Sequence, residues 1–286
     1  MSDDARVTLA KPDLADQALE GLVRAARFEA TRLTQVVSAV APIRRAPHPL
    51  AEQVDQLIFG ERFAVLEDRD GWAWGQATRD GYVGWVDLGA LGEIRSEPTH
   101  RIVAPSTLAF AEPSIKSPAR GPFSLNALVT VEAVSGPLAS VDGAGWMPAP
   151  HLCEIGFGFS EPAAVAERFE GTPYLWGGRT SLGLDCSGLV QQALFAAGLG
   201  CPRDADQQAR IGRPAPAEDL RRGDLVLWRG HVGMMLDETR LIHANAFHMA
   251  VAIEPLATAR ARIAGSGGGE PTACRRPESV VWATGR

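Results

Sequence analysis

The pattern of apolar and polar positions changes character along the chain, and each change predicts a different kind of element. Over residues 13–28, Leu14, Ala18 and Leu22 recur beside Leu19, Val23 and Ala26, with Asp13 ahead of them as a cap. This spacing predicts an amphipathic helix. From about Gln35 to Leu91 the period shortens to two. QVVSAVAPI, ERFAVLEDR, GWAWGQAT and GYVGWVDL predict short strands, with turn signals at Arg69-Asp70-Gly71 and Arg79-Asp80-Gly81. DGWAWGQATRDGYVGWV predicts two aromatic strands joined as a hairpin. A weaker copy follows over 98–152: THRIVAPSTLAFAEP matches QVVSAVAPIRRAPHP, SLNALVTVEAV matches FGERFAVLEDR, and GAGWMPAPHL matches GYVGWVDLGAL. The spacing, roughly 60 residues, predicts a divergent internal duplication.

A third region begins near Ser160. Ser160 is expected to cap a short helix with Pro162 in its first turn. Leu189, Val190, Ala193, Leu194 and Ala197 then keep one face over 186–197, and Gly198 is a natural C-terminal stop. GDLVLWRGHVGMML predicts two strands joined at Arg229-Gly230, and RLIHANAF predicts the next. The run Gly265-Ser-Gly-Gly-Gly269 predicts a mobile loop, and SVVWAT a final strand. Helices first and strands after predict an α+β domain.

Composition narrows the class. Apolar residues make up 45% and charged residues 22%, as in a soluble globular protein, and 286 residues suit about two or three domains. The net charge of -6 argues against nucleic acid as partner. The start MSDDARVTLAKPDLADQ has neither the basic residues nor the apolar run of a secretory signal, and no stretch approaches a membrane span. A cytoplasmic location is therefore expected, or a periplasmic one if the natural start differs. Four cysteines are irregularly spaced with no Cys-x-x-Cys pair, so reduced thiols are expected and no structural zinc.

One of those cysteines, in YLWGGRTSLGLDCSGLV, is placed for chemistry. Cys186 lies at the predicted start of a buried helix, where unpaired N–H groups and the positive dipole end stabilise an anion. A free thiol titrates near 8.5, and its thiolate is the nucleophile. A buried small residue that happens to open a helix fits the position equally well. Of six histidines, His231, His243 and His248 follow Cys186. His231 opens one predicted strand and His243 is central in the next. They share a face only if the loop between the strands has an odd number of residues, or a bulge intervenes. His243 and His248 are five apart and lack the helical zinc spacing, so no metal is expected.

YLWGG…DCSGLV, PRDADQQ, GDLVLWRGHVGMML and LIHAN, in this order, resemble the NlpC-type papain-like peptidases (the NlpC and p-sixty family) over about residues 160–286. The front strands resemble bacterial SH3-like domains, which are small β-barrels. The fold implied is two all-β SH3-like barrels followed by an α+β papain-like catalytic domain. The boundaries are a helical segment over 1–34, SH3-like domains over 35–95 and 96–155, and the peptidase over 156–286. The resemblance implies Cys186 as nucleophile, His231 as base and His243 as its orienting partner.

It also implies hydrolysis of the γ-D-glutamyl–diamino acid bond of peptidoglycan stem peptides; separately, no cofactor is expected, and a monomer is. The branch with front SH3-like domains acts on muropeptides with a free N-terminal L-alanine. There Asp204 of PRDA pairs with the free amine, although a capping role for Asp204 or Asp206 is the alternative. Trp176 lines the cleft or packs in the core. Ser187 holds substrate or caps the helix. Tyr82 covers the cleft or is ordinary barrel surface. Competing functions are a non-catalytic peptidoglycan-binding protein and a related thiol amidase or acyltransferase.

Overall fold

The computed structural model describes residues 4–157, 159 and 161–278. Ser160 and the strand expected at SVVWAT lie outside these. The chain divides into two compact units, Met1–Ile155 and Gly156–Arg286.

Alternation builds the first unit. Arg32–Val36, Val40–Arg44, Gln53–Ile58, Arg62–Arg69, Trp72–Ala77, Val83–Asp87 and Leu91–Gly92 form one seven-stranded sheet. Every second residue turns inward, so Ala41, Ile43, Phe63, Val65, Ala73, Ala77 and Val86 form one core. The aromatic hairpin is present, with Trp74 opposite Trp85. Asp70 and Gly71, both at positive φ, form the two-residue turn ahead of it.

The strands from His100 to Glu154 repeat this pairing order. In each set the third strand pairs with the second, the second with the sixth, then fifth, fourth, first and seventh. The one change is that the fourth strand of the later set is split at Thr130 into Leu128–Val129 and Val131–Ser135. A separate core of Ile102, Ala109, Phe123, Val129, Val141 and Met147 lies among these strands.

The helix expected over 13–28 is absent. Leu9 and Leu14 are instead buried with Leu66, Trp74 and Trp85, which draws the chain out along the sheet. Ala15–Asp16 pairs in parallel with Phe28–Glu29, and Asp16, not Asp13, caps a single 3₁₀ turn over Gln17–Leu19. Gly21 sits at φ +79, and Leu22 is 60% exposed. An apolar stripe with nothing to pack against gives a helix little reason to form.

The second unit carries four helices among its described residues: α1 Pro162–Glu167, α2 Cys186–Ala196, α3 Ala205–Gln208 and α4 Leu256–Gly265. Its six-stranded sheet has the order Arg213–Pro214, Ala273–Arg276, Leu225–Trp228, His231–Met235, Arg240–Asn245, Ala250–Pro255. Glu161 takes the N-cap position of α1, with Pro162 first in the helix. Helix α2 is buried along its whole length and packs on His231–Met235 and Arg240–Asn245. It ends as the sequence predicts: Gly198 is at φ +77, and the Leu199 N–H reaches back to the Leu194 carbonyl. Helix α4 was not foreseen. The glycine run read as a loop closes it, because Gly267 at φ +87 lets the Gly268 N–H reach the Ile263 carbonyl.

Candidate active site

The start of α2 is built around Asp185. Its Oδ1 accepts from the Gly188 N–H at 2.7 Å and caps the helix. Its Oδ2 accepts from the Gly177 N–H at 2.8 Å, which ties the WGG turn to the helix. Gly188 needs to be glycine, since a Cβ there would lie 2.1 Å from the Gly178 carbonyl oxygen. Arg203, 1% exposed, donates to both Asp185 oxygens at 3.0 and 2.6 Å. Ser187 belongs to the same network: its hydroxyl accepts from Arg203 at 2.9 Å and donates to Asp185 at 3.3 Å.

Cys186 therefore opens a helix whose first turn is held from three sides. It is buried, and the backbone N–H groups of Val232 and Ser187 lie near enough to its sulfur to favour the thiolate. Val232 directly follows His231, so the sulfur lies beside the strand that carries that histidine. Burial first, then the Asp185 charge, pushes the thiol up to about 12, while the two N–H groups and Arg203 act the other way.

The histidines meet as the parity argument requires. Met234 pairs with Ile242, Met235 with Leu241, and the Leu236 N–H reaches the Arg240 carbonyl. Three residues remain between these ends, an odd number, so His231 and His243 share a face. Gly230 at φ +75 makes the two-residue turn before His231. His231 Nε2 and His243 Nδ1 are 2.8 Å apart. Burial first, then the neighbouring His243 and Arg262, pulls His231 down to about 3. Burial likewise pulls His243 down to about 4, against the Glu254 carboxylate, which acts upward.

Sequence reasoning missed Glu254 and Arg262. His243 Nε2 lies 2.7 Å from Glu254 Oε1, and Arg262 of α4 forms an ion pair with that same oxygen. No signal in the sequence places Glu254: it stands opposite Leu241, two residues from His243 and so on the same face, which only the strand register shows. Tyr174 was also overlooked. It is half-buried, and its phenol is raised by burial and by the charges of Cys186 and Asp185. His243, His248 and Glu254 offer ligand atoms within 4.8 Å of one another, but Arg262 already neutralises that carboxylate, which disfavours a cation there.

The remaining expected residues are spread more widely. Asp204 is half-buried and forms a capping box with Gln207 at the start of α3. Gln208 of α3 donates to the Ser187 carbonyl at 3.0 Å, so Asp204 and Cys186 sit on elements that are joined directly. Trp176 is 57% exposed and outside the core. Tyr82 belongs to the other unit, where it is buried among Ala77, Val86 and the first sheet's apolar side chains.

A buried thiol at a helix start, beside the strand that carries an oriented imidazole, supplies the nucleophile and base of a thiol-based acyl-transfer enzyme. Comparison with known proteins identifies the particular kind. The NlpC/P60 family model matches residues 171–262, and the bacterial dipeptidyl-peptidase SH3 domain model matches residues 43–91. A gamma-D-glutamyl-L-lysine dipeptidyl-peptidase of Bacillus subtilis is 26% identical over 214 residues, 66% of this chain and 71% of that protein. One of the same name from Bacillus cereus is 26% identical over 235 residues, 71% of this chain and 70% of that protein. The crystal structure of an NlpC/P60 family protein from Bacillus cereus shares the fold, with a TM-score of 0.74 at 19% identity over 86% of this chain and 99% of that one. The chain is a cysteine peptidase that carries an NlpC/P60 domain at residues 171–262 and a bacterial dipeptidyl-peptidase SH3 domain at residues 43–91. No helix among the described residues is long and apolar enough to cross a membrane.

Proposed function

We propose that this enzyme hydrolyses the γ-D-glutamyl–diamino acid bond of peptidoglycan stem peptides that carry a free N-terminal L-alanine, as a step in recycling wall fragments. The observation that carries the chemistry is the placement of the Cys186 sulfur beside Val232, next to a His231 that is hydrogen-bonded to His243. The names of the two Bacillus relatives support the bond chosen.

Burial disfavours charge on both partners, so the resting pair is a neutral thiol and a neutral imidazole. His231 accepts the thiol proton as sulfur attacks the γ-carbonyl carbon. The tetrahedral adduct collapses, the diamino acid's amine leaves with that proton, and a thioester remains. His231 then takes a proton from water as the water attacks the thioester. L-Ala-γ-D-Glu is released and the thiol restored. His243 orients the base throughout.

Asp204 supplies the counter-charge for the substrate's free ammonium while keeping its capping role. A charged amine in an enclosed site requires such a partner. Trp176 offers an exposed ring for the peptide, and Ser187 acts through the Asp185–Arg203 network. We further propose that the two strand sets of the first unit are two SH3-like barrels, a reading supported by their shared pairing order.

The test is a matched pair of defined tripeptides, L-Ala-γ-D-Glu-diamino acid and its N-acetyl form, alongside intact sacculi, with products read by mass spectrometry. The free peptide should be cleaved and the acetylated one spared. Equal cleavage of both, or preference for sacculi, contradicts the proposed substrate.

A further inference from the structure

We infer that Glu254 and Arg262 are positioning residues for the thiol chemistry: Arg262 holds the Glu254 carboxylate, Glu254 holds the Nε2 proton of His243, and the resulting tautomers leave His231 Nδ1 as a bare lone pair. The inference deepens the peptidase reading and rests on it for its catalytic meaning.

The argument follows the protons along one line of contacts. Arg262 donates to Glu254 Oε1, so this oxygen serves as an acceptor beside a guanidinium that can only donate. That oxygen also faces His243 Nε2 at 2.7 Å, so Nε2 carries the proton. A neutral His243 then has an unprotonated Nδ1. This nitrogen faces His231 Nε2 at 2.8 Å and accepts from it. His231 is then protonated on Nε2, and its Nδ1 is the nitrogen able to take a proton from a thiol. Three hydrogen bonds in series thus select the base's reactive atom.

Without the carboxylate, His243 is free to carry its proton on Nδ1. His231 Nε2 must then accept, and its own proton moves to Nδ1, the atom needed for catalysis. Removing Glu254 therefore damages the reaction without touching the sulfur or the base.

Arg262 is itself anchored. Its guanidinium stacks on the Phe247 ring at 4.5 Å, and it reaches Glu254 from helix α4. Glu254 is 9% exposed, and the fixed pairing of its strand with Arg240–Asn245 sets its position. These contacts fix where the carboxylate lies, which an orienting group needs.

The test combines a spectrum with kinetics. In histidine-¹⁵N-labelled wild-type protein at neutral pH, long-range ¹H–¹⁵N correlations should show both His231 and His243 protonated on Nε2. Glu254→Leu should shift His243 towards the Nδ1–H form. It should also lower kcat on the free tripeptide at least about tenfold, a part of the ~10²–10⁴ that general base catalysis supplies, with KM changed less than about threefold. Glu254→Gln keeps an acceptor oxygen and should recover most of that loss. A wild-type His243 protonated on Nδ1, or a folded Glu254→Leu with unchanged kcat, overturns the inference. If Glu254→Leu does not fold, the wild-type spectrum and Glu254→Gln decide it, and Glu254→Gln as impaired as His243→Ala counts against it. A wild-type protein that cleaves no stem peptide refutes the peptidase reading instead, and the spectrum still decides the tautomers.

Discussion

Arg203→Met removes the cation at the base of the catalytic helix, and its effect follows from the contacts it breaks. Arg203 is 1% exposed and Asp185 9%, so the pair is buried. Two parallel hydrogen bonds and one to Ser187 are lost together. Asp185 keeps only the Gly177 and Gly188 N–H groups and the weaker Ser187 hydroxyl, too little to replace a guanidinium beside a buried carboxylate. Breaking one side of a buried ion pair costs about 3–5 kcal/mol. That is a large share of the ~5–15 kcal/mol by which a domain is stable. Arg203→Lys keeps the charge but loses the planar two-point fork, so it should cost about half as much. Urea unfolding of wild type, Arg203→Lys and Arg203→Met, followed by circular dichroism at neutral pH, measures all three. The reasoning is refuted if Arg203→Met lies within about 1 kcal/mol of wild type, or if the two variants are indistinguishable.

Gly188→Ala places a Cβ against the Gly178 carbonyl and should destabilise the second unit by about 1–3 kcal/mol and lower kcat, read by urea melts and tripeptide turnover. His231 and His243 are held below the ordinary imidazole value, so as pH falls below about 6.5 the unfolded chain takes up protons that the folded one refuses. Stability should therefore fall by about 2 kcal/mol per histidine between pH 6.5 and 5, and a urea midpoint flat over that range contradicts the neutral pair. Lys11 sits 4.4 Å from the Trp74 ring centroid and pairs with Glu67, so Lys11→Ala should weaken the first unit by roughly 1 kcal/mol in the same assay.

What could be read from the chain depended on whether local pattern and tertiary partner agreed. Helix α2 was legible because its apolar face and its glycine stop specify the same element, while the cap is Asp185 and not Ser187, which lies inside the helix. The His231 hairpin was legible from Arg229-Gly230, and the shared face of the two histidines reduced to a parity that the register then met. The N-terminal segment misled because Leu14 fits a helical stripe equally well as a lone anchor, and only the presence of Trp74 and Trp85 decides between them. Helix α4 was hidden because its one fully buried residue is Ala259, with Arg260 and Arg262 breaking up the apolar positions around it. Without that helix Arg262 has no location, and without the strand register Glu254 has no neighbour. The site residues that carry chemistry were therefore visible as motifs, while those that hold them were visible only after folding.

The most direct test of the central claim is turnover of free L-Ala-γ-D-Glu-diamino acid peptide by wild type and by Cys186→Ala, with the folded state of each checked by circular dichroism. The account predicts release of L-Ala-γ-D-Glu by wild type, and a folded Cys186→Ala that releases none above background. Continued release by Cys186→Ala at a rate near wild type would contradict it.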